Sequence, residues 1–166
     1  TWEHYSSHQH APDMEKPASP SAIVGKQIAY FAHNLFSAYR ANGQPLYRDF
    51  FEAALRHLLG PELPVETNLP TAGRICVMEQ KREKRYVTHL LYSPTSVRGK
   101  FRDLNIELIE DVIPLRETHV ALRLPRNVKT VRLVPDGEAL GFNREDGVVS
   151  FTVPEFASHQ MVELGY

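Results

Sequence analysis

The sequence is poor in cysteine, in unbalanced charge and in long apolar runs. Cys76 is the one cysteine among 166 residues. It excludes an intramolecular disulfide and any multi-cysteine metal site. Nineteen Lys and Arg face twenty Asp and Glu, a formal charge of -1. A chain built to hold nucleic-acid phosphates would carry a basic excess, so no nucleic-acid partner is expected. The same balance argues against disorder from self-repulsion. No apolar run approaches the roughly 18 residues of a membrane span, and no membrane partner is expected. Gly-rich phosphate loops, a dinucleotide fingerprint and a G-x-S-x-G elbow are all missing, so no cofactor is expected either. Thr1 at the start, with no signal-like apolar stretch after it, reads as an internal start. A lone cysteine fits a reducing compartment such as the cytoplasm.

Proline and glycine are plentiful instead, twelve and nine residues, which predicts many turns and short elements. Residues 1–21 read as loop. Two short extended runs follow, 22–24 and 27–32, with Gly25-Lys26 as the turn between them. Leu46, Tyr47, Phe50, Phe51, Ala54, Leu55, Leu58 and Leu59 then recur at three-to-four spacing, which predicts a helix over 45–59. Pro45 suits its first turn and Gly60-Pro61 stops it. From Arg74 the period changes to two. Strands are predicted at 74–80, 85–93, 106–112, 118–124, 129–134, 148–153 and 160–164. Asp136-Gly137 and Asp146-Gly147 are the clearest turn dipeptides.

The reading is a mainly β chain: an antiparallel β-sandwich of about 7–8 strands, preceded by a partial α/β segment with one long helix. The expected division is 1–62 for the α/β piece, 63–73 for a linker and 74–166 for the sandwich. The α/β piece reads as the last βα unit of a larger doubly wound sheet.

Few residues qualify for chemistry. Glu107, Glu110 and Asp111 are the densest acidic group. Glu107 and Asp111 are placed on one strand face, where a solvated surface explains them better than a glycosidase pair. His4, His8 and His10 have H-x3-H-x-H spacing, but Ser6, Ser7 and Pro12 oppose the helix that would focus them on a metal. No metal is expected there, and His10 is kept as a ligand or interface candidate. His33 follows an apolar strand, at the end where open α/β sheets bind ligands, and precedes Asn34, a candidate helix cap. Tyr39 is an aromatic that could stack on a sugar ring. His89 is expected in the core, bonded to a backbone carbonyl, and Cys76 is expected as a small buried hydrophobe. The basic run 81–85 reads as a solvated hairpin turn. No catalytic residue is assigned.

The order of motifs adds a resemblance. Ile28–His33, then Phe36–Arg40, then the helix ending at Leu59 resemble the end of the trimerisation domain of family-42-type β-galactosidases and their hypothetical glycosyl hydrolase relatives. That domain is flavodoxin-like, or glutamine-amidotransferase-like. Arg85–Leu91, Val131–Gly137, Val149–Pro154 and His159–Val162 are similar to the small all-β C-terminal domain of the same proteins. The resemblance implies a parent with an upstream catalytic (β/α)8 barrel carrying two glutamates, none of which lies in this sequence. It implies a non-catalytic C-terminal fragment with oligomer contacts (a trimer in the parent) and a structural role for the sandwich. Two rivals stand beside it: a carbohydrate-binding accessory module, and a small complete hydrolase using Glu107, Asp111 and a histidine.

Overall fold

A computed structural model describes residues 20–60 and 63–166. The chain divides into two units, Thr1–Leu63 and Pro64–Tyr166. It is mainly β, with twelve strands and two helices among the described residues.

The first unit opens with β1 (Ala22–Val24) and β2 (Ala29–Phe31), which pair antiparallel. The expected βα unit of a parallel sheet is therefore corrected to a hairpin here. Its four-residue connection, closed by Gly25 N–H donating to Ile28 O at 2.8 Å, is too short for a parallel crossover. Two helices follow, α1 (Leu35–Asn42) and α2 (Pro45–Leu59). The second has the predicted bounds. The first is additional, and eight residues offer only two turns of periodicity. Asn34 stands at its N-cap but makes no side-chain cap bond. Gly43 ends it at φ +62, where glycine carries no Cβ penalty, and its N–H donates to Tyr39 O at 2.8 Å. Aromatic rings tie the pieces together: Phe31 meets Phe50 edge-on at 5.4 Å and Phe36 meets Phe51 at 4.9 Å. Yet among the described residues of this unit only Leu35, Tyr47 and Ala54 are buried apolar side chains.

The second unit holds β3 (Val65–Thr67), β4 (Arg74–Gln80), β5 (Arg85–Tyr92), β6 (Ser96–Phe101), β7 (Leu104–Leu108), β8 (Leu115–Arg123), β9 (Thr130–Val134), β10 (Phe142–Glu145), β11 (Val148–Phe156) and β12 (Ser158–Gly165). One antiparallel sheet has the order β10-β11-β8-β3 and the other β4-β5-β12-β9; β6 and β7 form a separate hairpin. The two sheets make the expected eight-stranded sandwich. Period-two alternation aims Val120 and Leu122 of β8, Val149, Phe151 and Val153 of β11, Tyr86 and Leu90 of β5, and Val162 and Leu164 of β12 into one shared core. Each such side chain contributes about 1.5–3 kcal/mol by leaving water.

Turn chemistry sets the register. Asp146 and Gly147, at φ +49 and +79, form the two-residue turn joining β10 to β11. Residues 81–84 close the β4–β5 hairpin, as the basic run predicts. Three differences from the sequence reading stand out. Val65–Thr67, inside the stretch expected as linker, add an edge strand to β8 through Val65 opposite Leu122. The strand expected over 106–112 instead runs Leu104–Leu108 as the return arm of a hairpin with β6. Cys76 is exposed, because Ile75 and Val77 take the inward positions of β4. No helix among the described residues is long and apolar enough to cross a membrane.

Candidate functional site

The helices of the first unit shape a cleft. Leu35, Phe36 and Tyr39 from α1 face Tyr47, Arg48 and Phe51 from α2 around about 150 Å³. The spacing of 35, 36 and 39 puts these three side chains toward one side of a helix. Gly43 lets the chain turn sharply so that α2 returns alongside. The Arg48 guanidinium is engaged with Asp49, Nε to Oδ1 at 3.1 Å and Nη2 to Oδ1 at 2.9 Å. The cleft is therefore aromatic and offers stacking surface, and the described residues bring no convergent set of polar groups to it to orient a reacting bond.

The three candidate residues part company here. Tyr39 lines the cleft and is 39 % exposed. His33 is exposed at the end of β2, and its carbonyl accepts from Leu35 N–H at 2.9 Å, so it serves the entry to α1. It is not among the cleft's lining residues. His10, with His4 and His8, lies outside the described residues.

A second cluster lies on the outward face of the second unit's β4-β5-β12-β9 sheet. Register places Cys76 opposite His89 and His89 opposite Met161. His159, opposite Leu91, is the diagonal neighbour of His89. The His89 Nδ1 and His159 Nε2 atoms are 3.1 Å apart, with the rings within 5° of parallel. One ring N–H donates and the other nitrogen accepts. This corrects the expectation for His89: its partner is His159, on the outer face, and not a core carbonyl. Its face-mates Val87 and Leu91 are as expected, but inward duty on β5 belongs to Tyr86, Thr88 and Leu90. Among the described residues, no group of three or more His, Cys, Asp or Glu could hold a metal ion.

The carboxylates are dispersed. Glu107 on β7 accepts from Thr95 Oγ1 at 3.2 Å, and Glu110 is held by Arg98 Nε at 2.8 Å. Asp111 lies beyond the end of β7 and is exposed. Glu107 and Asp111 thus do not share a strand face, because pairing with β6 ends at Leu108. Hydrolytic acids are tuned by burial against apolar groups, and these three carboxylates are all exposed. Elsewhere, burial pushes the Tyr86 hydroxyl up, with the nearby Glu79 charge adding to it. Tyr166 moves the same way, through desolvation and then its 3.0 Å hydrogen bond to Glu79.

No protein-family model matches the chain, and no curated protein matches it. Among solved structures it is similar to alpha-L-fucosidase isoenzyme 2 from Paenibacillus thiaminolyticus, with 39 % identity over 96 % of this chain and a TM-score of 0.86. The chain spans 24 % of that protein's length. The matched structure is a fucosidase and thus a glycoside hydrolase, the enzyme class to which the motif resemblance points, and it gives no support for family 42 in particular.

Proposed function

We propose that this chain is a non-catalytic part of a glycoside hydrolase. Its sandwich is a structural domain, and its helical unit supplies contacts within the assembled enzyme. The observation that carries the reading is the 39 % identity and 0.86 TM-score across 96 % of the chain, set against a fucosidase of which it spans only 24 %. The exposed carboxylates of the β6–β7 region support it, since a glycosidase pair has to flank a sugar inside a pocket. In this reading the rest of the polypeptide is an upstream barrel that carries the catalytic glutamates. The parent acts on α-L-fucosides, the substrate class named for the matched structure, in preference to the β-galactosides of the family-42 resemblance. It assembles as a trimer.

The aromatic cleft of Phe36, Tyr39, Tyr47 and Phe51 favours a second reading, a carbohydrate-binding accessory role. Titration with fucose and galactose, read by tyrosine fluorescence, tests it: saturable binding lost in Tyr39→Ala supports the accessory role. The first reading is tested on the reading frame that encodes the chain. An adjoining barrel whose product hydrolyses nitrophenyl α-L-fucoside, with Glu107→Gln leaving the rate unchanged, is the expected result. A frame without a barrel overturns it.

A further inference from the structure

The two imidazoles on the outward face of the β4-β5-β12-β9 sheet have no part in the proposed function. Their ring centres are 5.4 Å apart, their planes within 5° of parallel and their facing nitrogens 3.1 Å apart. The nitrogens are closer than the centres by about two ring radii, so the parallel planes nearly coincide and the rings lie edge to edge. The lone pair of one nitrogen then points straight at the other, which is the direction an N–H needs. Two imidazoles on a tetrahedral metal would instead aim both lone pairs at a third point off that line. One proton therefore occupies the line. In the neutral pair one ring donates and the other accepts. One added proton makes the donor an imidazolium and the bond charge-assisted. A second sets N–H against N–H and charge against charge.

The pair sits beside a strained corner. β11 ends at Phe156 and β12 begins at Ser158, so the chain passes from one sheet to the other through Ala157 alone. Ser158 has φ +61, a left-handed conformation that a serine keeps only where its surroundings hold it. His159 is the next residue, and its N–H donates to Ala157 O at 2.7 Å. Ser158 opposite Tyr92 and His159 opposite Leu91 are the pairs at that end of the β5–β12 ladder. We propose that the His89–His159 pair is an acid-sensitive catch on this corner. It ties the start of β12 to β5 while the two rings share a proton, and it lets go when both are charged. The neighbouring charges do not rescue the doubly charged state. On β4, Cys76 is opposite His89, and Arg74 is opposite Leu91 in the row that ends at His159. On β9, Val134 is opposite Met161 and Arg132 opposite Glu163, with Asp136 in the turn beyond the strand's end. Glu163 is the one carboxylate at the outward positions of the four strands, and Arg85 engages it. The catch belongs to the second unit alone and does not rest on the glycoside-hydrolase reading.

Native-state hydrogen exchange of the 166-residue chain, corrected for the intrinsic rate at each pH, tests the proposal. The comparison is between about pH 7 and about pH 4, either side of the ordinary imidazole range. Opening at amides 158–160 and 91–92 is expected to rise about tenfold on acidification, the factor that two unit charges in water impose at that separation. The core amides of Val120 and Val149 are expected to keep their protection. His159→Gln retains an amide that can bond His89 Nδ1 but cannot take a charge, so its corner amides are expected to stay level over the same range. No rise in the unaltered chain overturns the proposal, as does an equal rise in the variant or one shared by the core amides. Should the variant fail to fold, nitrogen NMR of the unaltered chain decides. A scalar coupling between His89 Nδ1 and His159 Nε2 at neutral pH, lost in acid, is expected; uncoupled nitrogens at neutral pH overturn the proposal. Zinc added at neutral pH is expected to leave that coupling in place, and its replacement by a stoichiometric zinc complex overturns the shared proton.

Discussion

Replacing Thr88 by valine should make the second unit more stable. Thr88 is fully buried on β5, facing inward between Tyr86 and Leu90. Its cross-strand neighbours are Val77 on β4 and Val162 on β12. Its hydroxyl oxygen has no hydrogen-bond partner among the described residues. Burying a hydroxyl without a partner costs about 1–3 kcal/mol. Valine keeps the β-branched shape that suits a strand, removes the unsatisfied group and adds a methyl worth about 0.8 kcal/mol. The stiff χ1 is unchanged, so little is lost to strain. The net expectation is a gain of about 1–2 kcal/mol. For a unit of this size each kcal/mol moves Tm by about 4–8 °C. Urea melts followed by far-UV circular dichroism should show a higher midpoint with an unchanged slope. Thr88→Ser, which keeps the hydroxyl and removes the methyl, should lower the midpoint. A loss of more than about 1 kcal/mol in Thr88→Val would refute the reasoning, since only a hydroxyl with a hydrogen-bond partner contributes on that scale.

Two further sites give sharp outcomes. A Cβ on Gly165 would sit 2.6 Å from Thr130 Oγ1, its cross-strand partner; Gly165→Ala should lower stability by about 1–3 kcal/mol, as overpacking does, and Thr130→Ala in the same chain should restore most of it in a double-mutant cycle. Tyr86 and Tyr166 both have hydroxyls raised above the ordinary value near 10. Their neutral forms are favoured by folding, so that stabilisation is complete below pH 10 and drains away as pH rises through the folded values. Alkaline urea melts should show this decline, and Tyr86→Phe with Tyr166→Phe should flatten it; an unchanged alkaline slope would contradict the assignment.

The strands legible in the sequence were those whose every second residue had to fill the sandwich. Arg74–Gln80 and Val148–Phe156 alternate because Ile75, Val77, Val149, Phe151 and Val153 point inward. The helix Pro45–Leu59 was legible because its stripe spans four turns and both ends carry stop signals. Val65–Thr67 and Phe142–Glu145 were not, since they are edge strands of three and four residues whose pairing comes from distant partners. Cys76 went to the wrong face because Ile75, Cys76 and Val77 are all apolar, so alternation could not choose between the two sides. The His89–His159 contact was out of reach for a different reason. It arises from the β5–β12 register between residues 70 apart, and neither local spacing reports it. Of the residues lining the cleft, Tyr39 is the one the sequence singles out, on its aromatic chemistry alone. Its cleft partners Tyr47 and Phe51 were visible only as a helix stripe, because the short α1 that faces them was not read.

On the proposed function, this chain carries no glycosidase chemistry of its own. Incubating the purified 166-residue chain at high micromolar concentration with nitrophenyl α-L-fucoside and nitrophenyl β-galactoside measures it directly. The account predicts release of nitrophenol at the buffer rate from both substrates. Turnover above that rate, abolished by Glu107→Gln, would contradict it.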